Sequence, residues 1–335
     1  TYTINQALPR AFIFEGDILE FQKPVDTIDQ NEAKSLLANL DKKLEDALDI
    51  KGMVRKIEDE FGVHIGYGTQ DMATIKQLYK ERFGESIGSL SVRDPHTLRA
   101  NLSYIYSYLE EYGATFVASS GIKTINLFDH FEYVSKSGNF TNPSAEVIRG
   151  GIMTIEDISA FDHELLHIAE NATNKDGEIS NENWIVAENK EVKDLINSFR
   201  AGETLVEDNR DQRDSKSATL TDYSLSRHVL KPELARTLLK SGAPSLYALI
   251  AGLDSADEVQ AEVADFLKND PDAFTLISEK DENGNYSYPQ LRTNCIRILR
   301  FYYEKSSGEI NKAWWEKITG TTIADDSLFD FVNSK

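Results

Sequence analysis

His163-Glu164-Leu165-Leu166-His167 is the stretch on which the reading of this chain turns. On a helix, residues i and i+4 lie one turn apart on the same face. Two imidazoles so placed can grip one Zn²⁺, and the intervening Glu164 can act as general base toward the attacking water. With only six histidines in 335 residues, this spacing is a specific signal.

The flanks predict a helix. Thr154-Ile-Glu-Asp157 has the pattern of a capping box. From there Ile158, Phe161, Leu165, Ile168, Ala169 and Ala172 recur at helical spacing as one apolar stripe. His163 and His167 fall on the opposite side, which separates them from an ordinary core pair.

A catalytic zinc has three protein ligands and one open position. The H-E-x-x-H-x-x-G-x-x-H solution is excluded, because Glu170 stands at the Gly position and Thr173 at the third His. A second helix is expected over 182–199, with Ile185, Val192, Leu195, Ile196 and Phe199 as its apolar face. Glu188 falls at the centre of that face, where a carboxylate is costly unless paired or bound to metal. Glu188 is the expected third ligand, and a partly buried ion pair would explain its position as well. Glu182, Glu191 and Glu207 compete and read more simply as solvated charges. Glu170 shares the His face as an outer partner of His167 or as surface charge. Downstream, Tyr223 and His228 are candidates to assist at the carbonyl oxygen.

At these residues the chain resembles the zincin metallopeptidases of the gluzincin kind. More narrowly, the motif, the Glu-bearing helix and Leu205-Val-Glu-Asp-Asn-Arg-Asp-Gln-Arg213 resemble bacterial effector and toxin metalloproteases. The resemblance covers residues 160–223. It implies an α+β, zincin-like catalytic core and a secreted or injected hydrolase, a protease that cleaves protein or peptide substrates. His163, His167 and Glu188 would hold Zn²⁺, and Glu164, Tyr223 and His228 would be the catalytic residues. Two readings stay open beside it. One is a catalytically inactive zincin-like scaffold that binds a protein partner. The other is a helical protein in which the pentapeptide is accidental.

The rest of the chain bounds these readings. A 40% hydrophobic and 10% aromatic content is that of a folded protein. Charges run 36 basic to 56 acidic, a net of −20, which opposes nucleic-acid or anionic-membrane binding and permits a basic partner. The single Cys295 excludes an intrachain disulfide framework and cysteine-rich zinc sites. No apolar run is long enough to span a bilayer, and no secretory signal is present. Phosphate-binding and nucleophile-elbow motifs are absent. Oligomeric state is left open.

Three regions are expected: a mainly helical one over 1–113, the zincin-like core over 114–229, and a helical one over 230–335. Leu36, Leu37, Leu40, Leu44 and Leu48 predict a helix within 31–60, and further helices are expected over 72–82 and 96–111. Strands are expected at 115–118, 122–128 and 146–149. After Pro232, Ser255-Ala-Asp-Glu258 resembles a second capping box, and 291–304 reads as a helix.

Overall fold

The computed structural model describes residues 48–83, 86–134, 140–141, 143–148, 150–173, 189–201, 230–252 and 256–333, together with Ser35. It is a mixed α/β structure. By contact the chain forms two compact units. One comprises Thr1–Glu110 with Ile122–Phe161, the other Glu111–Gly121 with Asp162–Lys335.

The first unit holds the sheet. Helix α1 (residues 48–61) is followed by β1 (His64–Gly66), α2 (Thr69–Phe83), β2 (Ser86–Val92) and α3 (Pro95–Ser120). Then come β3 (Thr124–Val134), β4 (Phe140–Thr141), β5 (Ala145–Ile148) and β6 (Ile152–Ile155). Strand β3 is the backbone of the sheet. Its first half pairs parallel with β1 and with β6, as in Ile65 opposite Ile125 and Ile125 opposite Met153. Its second half pairs antiparallel with β2 and β4. Ile65, Ile125, Leu127, Met153 and Ile155 are all buried, the continuous apolar pattern of parallel strands. Strand β5 runs antiparallel to β6 and ends the path β1-β3-β6-β5.

Helix α2 packs on this sheet through Ile75 and Tyr79, which join Leu90, Phe128, Phe131 and Ile148 in one core. The Tyr79 hydroxyl donates to Glu146 of β5 at 2.6 Å, so its buried polar tip is satisfied. Gly66 is required where it stands. A Cβ there would lie 2.2 Å from Oδ1 of Asn126, whose amide donates to the Met153 carbonyl at 3.3 Å.

Two local expectations are corrected here. Residues 115–118 are helical, in the second half of α3, which resumes after a break at Gly113 (φ 81°, ψ 153°). Phe116 and Val117 are buried there, and Phe116 stacks on Tyr302 at 5.1 Å, so packing overrides the β-branched and aromatic propensity. Thr154 does not cap a helix. It is buried in β6, and Asp157 instead caps the 3₁₀ turn Ile158–Ala160 by accepting from the Ser159 amide. Helix α4 (Phe161–Thr173) starts only after that turn.

The second unit is helical. After α4 come α5 (Lys190–Arg200), α6 (Pro232–Ser241), α7 (Leu246–Ala251), α8 (Ala256–Asn269) and α9 (Ala273–Ser278). Helices α10 (Pro289–Lys305), α11 (Lys312–Thr319) and α12 (Asp330–Asn333) complete it. Val192, Leu195 and Ile196 of α5 share a core with Leu238 of α6 and Leu246 and Leu249 of α7. A second cluster is aromatic: Tyr112 and Phe116 stack on Tyr302, and Trp315 meets Tyr302 edge-on at 5.7 Å. Pro232 opens α6 as expected, and Cys295 is buried in α10. Among the described residues no helix is long and apolar enough to cross a membrane.

Candidate metal centre

Helix α4 carries Asp162 and Glu164 in its first turn, where carboxylates complement the helix dipole. Leu165, Leu166, Ile168 and Ala169 are buried, which fixes its rotation. His163 and His167 project together, as their spacing requires. Their Nε2 atoms are 3.1 Å apart and their rings are nearly perpendicular. The pair is not solvent-facing, because side chains of α8 cover it.

Helix α8 has Val259, Ala261, Val263, Ala264, Phe266 and Leu267 in the core. Glu258 and Glu262, one turn apart, reach the histidines. The Oε2 of Glu258 lies 3.4 Å from Nε2 of His163 and 3.8 Å from Nε2 of His167. The Oε1 of Glu262 lies 3.3 Å from Nδ1 of His163. Short helix α7 holds both carboxylates. Its cap residue Ser245 accepts from the Ala248 amide at 3.0 Å and donates its hydroxyl to Glu262. Tyr247 donates to Oε2 of Glu258 at 2.8 Å. Burial of Leu246 and Leu249 on either side of Tyr247 anchors that hydroxyl.

The electrostatics follow from this packing. Burial works against the charged form of His163, yet hydrogen bonds that it donates to Glu258 and Glu262 outweigh it and push its pKa up to about 10. Burial would raise Glu258, but His163, His167 and Tyr247 hold its carboxyl well below the usual range. Glu164 is raised by burial, an effect that the two histidines oppose and Glu258 reinforces. The Tyr247 hydroxyl is pushed up by burial and by Glu258, so it remains a donor. Glu170 is buried, and among the described residues its Oε2 has no hydrogen-bond partner. Burial, Asp257 and Glu258 together raise its pKa to about 9.

Among the described residues, His163, His167 and Glu258 are the group whose ligand atoms all lie within 4.8 Å of one another. Ligands about 2.0–2.2 Å from a tetrahedral Zn²⁺ stand about 3.3–3.6 Å apart. The three separations here, 3.1, 3.4 and 3.8 Å, bracket that edge. Two imidazoles and one carboxylate also form one of the donor sets of catalytic zinc. The residues present thus fit the ion.

The expected Glu188 lies outside the described residues, as do Tyr223, His228, Glu182 and Glu207. Helix α5 begins only after its cap residue Asn189, whose side chain accepts from the Glu191 amide. Asn189 is extended, so the helix expected over 182–199 does not run through it. Glu191 is exposed in the first turn of α5. Sequence reasoning missed Glu258, Glu262, Ser245 and Tyr247. The available signal was two acids at i and i+4 on an apolar helix, but Glu258 was read as the end of a capping box. No protein-family model, no curated protein and no solved structure matches the chain.

Proposed function

We propose that this protein is a zinc-dependent endopeptidase of the gluzincin kind, with His163, His167 and Glu258 as the metal ligands. The observation that carries the reading is the triangle of two imidazole nitrogens and one carboxylate oxygen with edges of 3.1, 3.4 and 3.8 Å. Bound there, Zn²⁺ would act as a Lewis acid on the scissile carbonyl and make the attacking water more acidic.

The chain's own residues supply the rest. The hydrogen bond of His163 Nδ1 to Glu262 leaves Nε2 as the ligand atom, the tautomer a metal needs. Tyr247 donates to the same Oε2 of Glu258 that faces the two histidines and so orients that carboxylate. Glu164 takes a proton from the attacking water and passes it to the leaving amine. Its raised pKa brings it closer to the working pH of a general base. A zincin-like arrangement of the core and a role as effector or toxin rest on the motif and its sequence resemblance.

Glu164→Gln tests the reading. The variant should retain about one Zn²⁺ per chain, since Glu164 is not a ligand. It should lose about 10²–10⁴-fold in peptide hydrolysis. Metal-binding parent protein that cleaves no peptide or protein substrate would point instead to a scaffold without catalysis. Folded protein that takes up no zinc would remove both readings.

A further inference from the structure

Beside the metal centre lies a buried ion cluster that the proposed chemistry does not use. Asp162, the residue before His163, is 5% exposed, and its Oδ1 accepts from Lys268 Nζ at 2.8 Å. The same oxygen accepts from the Tyr112 hydroxyl, also at 2.8 Å. The Lys268 side chain is 6% exposed. Its ammonium lies 3.3 Å from Glu111 and 4.7 Å from the centre of the Tyr112 ring. Asp162 opens α4, Lys268 closes α8, and Glu111 and Tyr112 belong to α3.

The pairings between α4 and α8 run in one direction. Asp162 meets Lys268, His163 meets Glu262, and His167 meets Glu258. Numbers rise on one helix as they fall on the other, so the two helices are antiparallel and bridged by long polar side chains. An apolar seam would tolerate sliding. A point contact between two charges does not, and a shift of one turn moves a helix by about 5.4 Å. A displacement far smaller than that would open the triangle of ligand atoms.

A buried ion pair is weak evidence of stability, because desolvation offsets the Coulomb gain. Its best-attested use is to fix register. We infer that the Asp162–Lys268 pair pins α4 against α8 in the register that brings Glu258 to the two histidines, so that both are positioning residues for the metal. This rests on the zinc reading above.

The test uses the full chain, stripped of metal, with Zn²⁺ titrated against a competing chelator. Asp162→Asn and Lys268→Met should each weaken zinc binding by about 10–100-fold, the range seen when the partners of ligands are removed. Coulomb forces alone predict otherwise. Losing the cation Lys268 would tighten binding of a cation, and losing the anion Asp162 would weaken it. The double variant Asp162→Asn/Lys268→Met separates register from stability. It leaves neither Asp162 nor Lys268 as an uncompensated charge, and only Glu111, which Lys268 also faces, loses its partner, so its Tm should recover relative to Lys268→Met. Its zinc affinity should stay low, and its cobalt(II) absorption spectrum should differ from the parent's. Affinity that recovers together with Tm would overturn the inference, as would tighter binding by Lys268→Met. Parent-like affinity in all three variants would overturn it while leaving the zinc reading intact. Parent protein that binds no zinc would overturn both.

Discussion

Glu262 Oε1 sits 3.3 Å from Nδ1 of His163, on the edge of the ring away from the Nε2 that faces His167 and Glu258. One imidazole thus links two carboxylates of the same helix, each through a different nitrogen. The arrangement sorts the carboxylates by role. Glu258 shares its Oε2 with both Nε2 atoms, whereas Glu262 faces the far nitrogen, Nδ1 of His163.

This sorting predicts a graded loss of metal. Glu258→Ala removes the proposed carboxylate ligand and should weaken zinc binding by more than about 100-fold. Glu262→Ala removes only an orienting partner and should cost about 10–100-fold. Glu191→Ala, at an exposed position in α5, should change nothing. Competition titration reads all three. Equal losses for Glu258→Ala and Glu191→Ala would remove Glu258 from the ligand set. A larger loss for Glu188→Ala than for Glu258→Ala would restore the ligand expected from the sequence.

How far the site could be read from sequence follows from where its parts lie. His163, Glu164 and His167 share one helical turn, so local spacing displays them. Glu258 is brought to them only by the packing of a later helix, and no local period encodes that distance. Glu188 was expected because it falls at the centre of the apolar face of a helix drawn over 182–199. Asn189 caps α5 instead, as its short polar side chain competes with the helix for the backbone. In the sheet, 122–128 and 146–149 were readable as strands from β-branched residues between turn signals, and β3 and β5 occupy them. Residues 115–118 carry the same composition, but Phe116 stacks between Tyr112 and Tyr302 on a helix. The strand pairing of Thr154 with Asn126 likewise excluded the helix start that its capping-box pattern implied.

Zinc uptake should release a proton. His163 holds its proton up to about pH 10 in the metal-free protein, because Glu258 and Glu262 outweigh the cost of burying the charge. A ligand imidazole must give that proton up. Below pH 10 the apparent zinc affinity should therefore rise with pH, by up to about tenfold per unit for one proton. Calorimetry at pH 7.5 in buffers of different ionisation enthalpy counts the protons released. About one is expected from His163. Release of none would mean that His163 is already neutral or is not a ligand.

The same pair stabilises the fold without metal, and the sign can be stated. The folded pKa of His163 is raised above its ordinary value of 6.5 to about 10. Its contribution is fully present below about pH 6.5 and is lost as pH rises through about 10. His163→Gln should therefore lower the Tm of metal-free protein more at pH 6 than at pH 10. An equal drop at both pH values would show that the Glu258 and Glu262 contacts do not hold a proton on the ring.

Glu170 should behave in the opposite sense, since it is a buried acid with no cation paired to it among the described residues. Its Oε2 has no hydrogen-bond partner among them, and burial with Asp257 and Glu258 nearby raises its pKa from 4.5 to about 9. Between those values the folded state keeps a proton that the unfolded chain has released. Stability then falls as pH rises, at about 1.4 kcal/mol per unit for one proton. Glu170→Gln keeps the size and neutrality of the protonated acid and removes this dependence. Any fixed cost of the new amide is the same at every pH, so the informative quantity is the change in the Tm difference. For metal-free protein, the Tm of Glu170→Gln relative to the parent should be more favourable at pH 8 than at pH 5. A Tm difference that is flat across this range would mean that Glu170 ionises at its ordinary pKa and that its carboxylate reaches water or a cation.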